Sequence, residues 1–193
     1  MTKQRVPETD HGIRGEFNVT VYDQMQRRLR DKGWIETKEL LKHGITQGCA
    51  LEIGPGPGYL GLEWLKRTQG TTLKGVDIST DMIAVAERNA REYGFSQRVE
   101  YVHSSGSRMP FDDNTFDAVF TTGSLHEWAD PRSTFNEIWR VLKPGAKFSY
   151  RICVAICLHW RGGSCGSILS HRRFVMDSYP RSMPLILLAN SGS

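Results

Sequence analysis

Cysteine is scarce in this 193-residue chain, with four in all. Cys49, Cys153, Cys157 and Cys165 are too few and too unevenly spaced for a disulfide framework, and none forms a Cys-x-x-Cys pair. Long apolar runs are missing too. No window approaches the ~18 apolar residues of a membrane span, and the polar segment Met1 to Asp10 holds nothing like a signal peptide. The expectation is a cytoplasmic protein with reduced thiols and no membrane partner. An excess of one charge is also absent: 25 Lys and Arg stand against 21 Asp and Glu, for a net charge of +4. The two signs are interspersed, as in Glu87, Arg88, Arg91 and Glu92, so no nucleic-acid surface is indicated. The densest basic stretch, Gln26 to Lys32, carries apolar residues at helical spacing and reads as the solvated face of an amphipathic helix. What remains, 39% hydrophobic and 24% charged without internal repeats, fits one globular domain around one core.

Periodicity divides the chain into three parts. Residues 1–45 read as a helical cap: Phe17, Val21, Met25 and Leu29 recur at helical spacing, and a short second helix from Glu36 ends near Gly44. Residues 46–154 alternate strands with helices. Cys49 to Ile53 is a short apolar strand stopped by Gly54, and Tyr59 to Arg67 is helical. Thr71 to Ile78 is a second strand, followed by a helix that Ser79 caps and Gly94 stops. Val99 to His103 and Phe116 to Thr121 are the third and fourth strands. Pro131 starts a helix that ends at the turn Lys143-Pro144-Gly145, and Lys147 to Val154 is the fifth strand. This alternation predicts an α/β fold, a Rossmann-like doubly wound, mostly parallel sheet with helices on both faces. Residues 155–193 lose the pattern. In this irregular tail only Phe174 to Met176 and Leu185 to Ala189 read as further strands.

The chemistry concentrates where the first strand meets its helix. Glu52-Ile53-Gly54-Pro55-Gly56-Pro57-Gly58 sits at the strand's carboxyl end, where doubly wound sheets bind ligands. Glycines there let the chain turn sharply and let a ligand touch the backbone. A glycine loop alone also fits a plain tight turn or a dinucleotide site, but the Gly-x-Gly-x-x-Gly spacing of the latter is not met. Glu52 is an anion that would repel a pyrophosphate and suit an ammonium group. Asp77 closes the second strand, where a carboxylate can accept protons from both hydroxyls of a ribose.

With Leu51 to Gly58, Gly75-Val76-Asp77-Ile78-Ser79, Met109-Pro110-Phe111, Phe116-Asp117-Ala118-Val119 and Val141-Leu142-Lys143-Pro144-Gly145 in order, residues 49 to about 150 resemble the class I S-adenosylmethionine-dependent methyltransferases. The likeness is to their broad small-molecule group. It implies S-adenosylmethionine as cofactor and S-adenosylhomocysteine as product. Gly54, Gly56 and Gly58 would pack on the methionine portion, Glu52 would hold its amino group, Asp77 the ribose, and Ile78 and Met82 the adenine. An aspartate usually meets the adenine amino group after the third strand; here Ser105 stands in that place, followed by Gly106, and its hydroxyl still accepts one hydrogen bond.

Thr121 to Trp128 follows the fourth strand, which in this family lies beneath the sulfonium, so Thr122 joins the cofactor set. Transfer from a sulfonium needs positioning and dryness more than protein chemistry, and a base only if the acceptor must lose a proton. His126, with Glu127 beside it, is the candidate base, against the reading of a structural histidine at a strand-to-helix junction. Tyr22 belongs to the segment that closes over the cofactor in relatives, or else simply packs its helix. Trp128 and Trp139 read as core or lid aromatics. No metal is expected, because Cys153, Cys157, His159, Cys165 and His171 lack ligand spacing. The tail reads as truncated or altered relative to an ordinary member, which leaves a non-catalytic S-adenosylmethionine-binding protein as the alternative and a nicotinamide oxidoreductase as a third reading. An exposed sheet edge keeps both monomer and homodimer open. The acceptor points to a small molecule on family analogy alone.

Overall fold

The computed structural model describes residues 12–155 and 169–176. Helices α1 (Glu16–Asp31) and α2 (Thr37–Lys42) precede an alternating series: β1 (Cys49–Ile53), α3 (Tyr59–Arg67), β2 (Thr72–Asp77), α4 (Thr80–Tyr93) and β3 (Val99–His103). Next come β4 (Phe116–Thr122), a single 3₁₀ turn at Leu125–Glu127, α5 (Pro131–Val141), β5 (Leu142–Ala155) and β6 (Leu169–Met176). The sheet order is β3-β2-β1-β4-β5-β6, with β1 to β5 parallel and β6 antiparallel to β5. The doubly wound sheet is therefore observed. The direction of winding reverses between β1 and β4, and their carboxyl ends splay open there.

Strand parity assigns side chains to two layers. Ala50, Leu73, Ala118 and Phe120 join Leu62, Trp64, Leu65, Ala86 and Ala90 in a core under α3 and α4. Leu51, Ile53, Val76, Val119 and Phe148 point the other way, onto Ile138 and Val141 of α5. Glu52 shares the parity of Ala50 and so is carried beneath α3, only 3% exposed. The helix ends follow local chemistry: the Ser79 hydroxyl accepts the Met82 N–H at 3.2 Å, Asp130 accepts that of Ser133 at 3.1 Å, and Gly94 closes α4 at φ 73°.

Three expectations are corrected. The Lys143-Pro144-Gly145 turn lies inside β5 instead of before it: Leu142 pairs with Phe116, the register then jumps to Lys147 with Ala118, and the intervening residues bulge out. In the tail, Phe174 to Met176 belong to a longer strand that begins at Leu169, whereas Leu185 to Ala189 lie outside the described residues. Cys153 and His171 are register partners across β5 and β6, while Cys157, His159 and Cys165 lie outside the described residues.

The third correction concerns α1, whose apolar face is turned outward: Phe17 is 79% exposed, Val21 51% and Met25 42%. The face packed on the protein carries Val19, buried against Met82 and Val85, together with charged residues. The Asp23 carboxylate, buried, accepts from the Tyr59 hydroxyl at 2.8 Å and from Arg88 at 3.0 Å. Arg27 donates to the Tyr59 hydroxyl at 3.1 Å, and Arg30 lies over the Tyr59 ring, 4.7 Å from its centroid, while donating to Tyr93. Arg27 and Arg30 of the basic run are thus absorbed into contacts with α3 and α4, while Arg28 and Lys32 stay exposed. Removing Asp23 strands a buried hydroxyl and a guanidinium. Because Arg88 is about half exposed, solvent screens part of the loss, and Asp23→Ala is expected to cost about 1–3 kcal/mol in urea unfolding.

Candidate cofactor and acceptor site

Above the carboxyl ends of β1 and β4 lies a cavity of about 1280 Å³. Its wall includes Glu52, Gly54, Gly56, Asp77, Ile78, Met82, Ser105, Gly106, Thr122, Tyr22 and His126, which were singled out in the sequence over a span of more than a hundred positions. Gly58 is not part of the wall. It is the left-handed residue at φ 83° that starts α3, and a Cβ there would lie 2.5 Å from the Tyr101 hydroxyl.

Glu52 is the unusual group. Its Oε2 is buried and makes no hydrogen bond. Burial pushes its carboxyl up to about 8, with the Asp77 charge adding to the rise and the nearby N–H of Gly61, in the first turn of α3, opposing it. Asp77 is raised by burial as well, against backbone N–H groups that hold the charged form. Its Oδ2 accepts the Gly56 N–H at 3.0 Å and its Oδ1 that of Ser79 at 2.9 Å. One carboxylate thereby ties the glycine loop to the end of β2, with acceptor lone pairs left over.

A residue that sequence reasoning missed holds the opposite wall. The Ser124 hydroxyl lies 2.5 Å from Thr121 Oγ1 and accepts the Trp128 indole N–H at 3.2 Å, and both hydroxyls reach the Ile53 carbonyl. This clamp presses the loop after β4 onto Gly54, where an added Cβ would lie 2.6 Å from that of Ser124. The signal was a serine just past a glycine at a strand end, which many loops share. Trp34, Ile35, Glu36 and Asp130 were also missed, since nothing local marks them as cavity residues.

His126 sits on the 3₁₀ turn with Nε2 3.3 Å from Glu127 Oε1. Ser105 Oγ pairs with Ser107 Oγ at 2.8 Å and accepts the Ser107 N–H. Met82 is buried, and Trp128, 8% exposed, stands on the wall. Trp139 packs edge-on against Phe148 in the core.

The lining contains the carboxylates Glu36, Glu52, Asp77, Glu127 and Asp130 and, among the described residues, no lysine or arginine. Such a field repels phosphates and attracts cations. It therefore opposes a dinucleotide and favours a ligand with positive centres. The volume exceeds the ~300–1,000 Å³ of a one-ligand pocket, leaving room for a second molecule. No described helix is long and apolar enough to cross a membrane, and no described group of three His, Cys, Asp or Glu side chains is arranged to hold a metal ion.

The sheet and its switch-point cavity define a class I methyltransferase fold. The family model described as "Methyltransferase domain" matches residues 51–150, and the chain belongs to that S-adenosylmethionine-dependent family. A demethylmenaquinone methyltransferase of Bacillus subtilis is 39% identical over 138 residues, 68% of this chain and 54% of its own. An uncharacterized methyltransferase of the same organism is 34% identical over 105 residues, 54% of this chain and 56% of its own. Among solved structures, a protein from Methanococcus maripaludis, provisionally described as an S-adenosylmethionine-dependent methyltransferase, superposes with a TM-score of 0.67 at 26% identity. The match covers 75% of this chain and 66% of that one. The chain spans little more than half the length of the curated relatives it matches.

Two outcomes follow from this geometry. A carboxyl held protonated to about 8 when folded, but ionising near 4.5 when unfolded, withdraws stability as pH rises between those values, because the unfolded chain releases the proton first. Glu52→Gln should therefore raise the melting temperature of the ligand-free protein by several degrees at pH 8 and leave it unchanged at pH 4, as read by scanning calorimetry. Gly54→Ala combines a positive φ with a collision against Ser124; a loss of about 2–4 kcal/mol in denaturant unfolding is expected.

Proposed function

We propose that this chain binds S-adenosylmethionine and transfers a methyl group to a small-molecule acceptor. The observation that carries the reading is the buried Glu52 Oε2, which has no hydrogen bond and no cation beside it in a cavity wall otherwise rich in carboxylates. An ammonium group brought there ionises Glu52 and satisfies it. The backbone at Gly54 and Gly56 leaves space for the methionine portion, and the free lone pairs of Asp77 receive the ribose hydroxyls. Ile78 and Met82 provide an apolar slot for adenine, with Ser105 and Gly106 at its edge. Thr122 and Tyr22 close the sides.

When bound, S-adenosylmethionine supplies an activated methyl on a sulfonium. The protein's share is then position and exclusion of water: the Thr121-Ser124-Trp128 clamp holds the loop after β4 in one place, and α1 roofs the cavity with Tyr22, Met25 and Leu29. His126, in contact with Glu127, takes the acceptor's proton where the acceptor carries one. Among the described residues the lining offers carboxylates and no basic side chain, which argues against carboxylate or phosphate acceptors and for neutral or cationic ones. The menaquinone-type relative is consistent with a neutral acceptor. We place the reaction in the cytoplasm, on the composition of the chain.

A second reading, this fold without methyl transfer, is favoured by one comparison. The solved [4+2]-cyclase SpnF shares this fold at a TM-score of 0.57 and 27% identity, over 76% of this chain and 49% of that one. Calorimetric titration with S-adenosylmethionine and S-adenosylhomocysteine, alongside Glu52→Ala and Asp77→Ala, tests the site. Each substitution is expected to weaken binding by about tenfold to a hundredfold, the worth of hydrogen bonds to a charged group. Wild-type affinity in both variants would refute the assignment, and binding without turnover on neutral and amine acceptors would favour the second reading.

A further inference from the structure

Helix α1 turns three of its large apolar residues outward while Val19 packs inward on Met82 and Val85. Its charged residues Asp23, Arg27 and Arg30 are engaged with α3 and α4, which leaves Phe17, Val21 and Met25 in a row on the opposite side, one turn apart. Trp34, 63% exposed, follows the end of the helix, its N–H held by the Leu29 carbonyl at 2.9 Å. Four large apolar side chains at these exposures form a patch of the kind that marks an interaction surface.

The charges bordering the patch select its partner. At 100° per residue, Arg28 and Lys32 fall within the arc spanned by Phe17, Val21 and Met25, and both are exposed. The Lys32 ammonium lies 4.6 Å from the centroid of the Trp34 ring. The helix's carboxylates stand outside that arc: Asp23 is buried inward, Asp31 is paired with Arg30 at 2.7 Å, and Glu16 opens the helix on the inward side. An outward face of Phe, Val, Met and Trp with basic residues and no acidic ones is complementary to a bilayer bearing anionic headgroups, and an indole beside an ammonium suits the headgroup level. The patch is also continuous with the cavity, since Met25 and Trp34 belong both to the exposed row and to the cavity wall.

We propose that the outward face of α1, with Trp34, docks on an anionic membrane surface and so opens the cavity mouth toward the bilayer. This is a surface association, distinct from a membrane span, for which no described helix is long and apolar enough. The uptake of an apolar acceptor from the bilayer through that mouth rests on the methyltransferase reading; the docking itself does not.

The test is sedimentation of the full chain with vesicles of phosphatidylcholine alone and of phosphatidylcholine with about one third phosphatidylglycerol. Wild type is expected to pellet with the anionic vesicles. The double variant Phe17→Glu, Val21→Glu, whose positions are exposed and outside the cavity wall, should lose at least about tenfold in partitioning. Arg28→Glu with Lys32→Glu should erase most of the preference for anionic over neutral vesicles, roughly thirtyfold for two basic residues. Titration of both variants with S-adenosylmethionine, expected to match wild type, separates a failure of docking from a failure of the cofactor reading. The proposal is overturned if wild type stays in solution with anionic vesicles or if Phe17→Glu, Val21→Glu pellets as well as wild type. It is equally overturned if that variant turns a wild-type dimer into a monomer without vesicle binding, which would assign the face to a second copy of the chain.

Discussion

A carboxyl group removed from water without a counter-charge governs the arrangement of this site. Glu52 is carried under α3 by strand parity alone, because it occupies a position that alternates with Ala50 on the face that α3 covers. Burial raises its proton affinity, against the opposing N–H of Gly61, so the folded chain loses stability as pH rises from about 4.5 to about 8. Stability is given up at the position where a cationic ligand would restore it, a common trade at functional sites. The neighbouring Asp77 deepens the effect, since its charge disfavours the ionisation of Glu52.

The surroundings make that arrangement rigid. Asp77 fastens the glycine loop to β2 through the Gly56 N–H, Asn89 reaches the Pro57 carbonyl from α4 at 2.9 Å, and the Ser124 clamp presses from the β4 side. The loop is held from three directions by groups belonging to different elements, so its backbone reaches a ligand already ordered. The same packing explains why small residues recur: at Gly54 the limit is the Ser124 side chain, and at Gly58 it is the Tyr101 hydroxyl.

Helix α1 serves two surfaces at once. Inward, its charged residues lock onto Tyr59, Arg88 and Tyr93 while Val19 packs on Met82 and Val85, so the roof of the cavity is attached by polar contacts beside a small apolar one. Outward, the apolar row is left for a partner. The inward and outward roles are coupled, because turning the helix to bury Phe17 and Val21 would leave Asp23 facing solvent and the Tyr59 hydroxyl without its acceptor.

Much of this protein was legible in its residues. The strands β1 and β3, the capping of α4 by Ser79 and Gly94, and the start of α5 at Asp130-Pro131 follow from period and end chemistry, which depend on neighbours a few positions away. The glycine loop after β1 was legible for the same reason, since glycines and carboxylates at strand ends are local signals. What escaped depends on contacts between distant segments. The bulge at Lys143 to Ala146 reflects the register of β5 against β4, and the Ser124 clamp joins residues about seventy positions from Ile53. The sense in which α1 faces the protein could not be read from its periodicity, because a helical wheel shows that two faces differ and not which is buried. That choice was made by Tyr59, Arg88 and Tyr93 on other helices, whose polar groups offered Asp23, Arg27 and Arg30 partners that only the folded chain brings together.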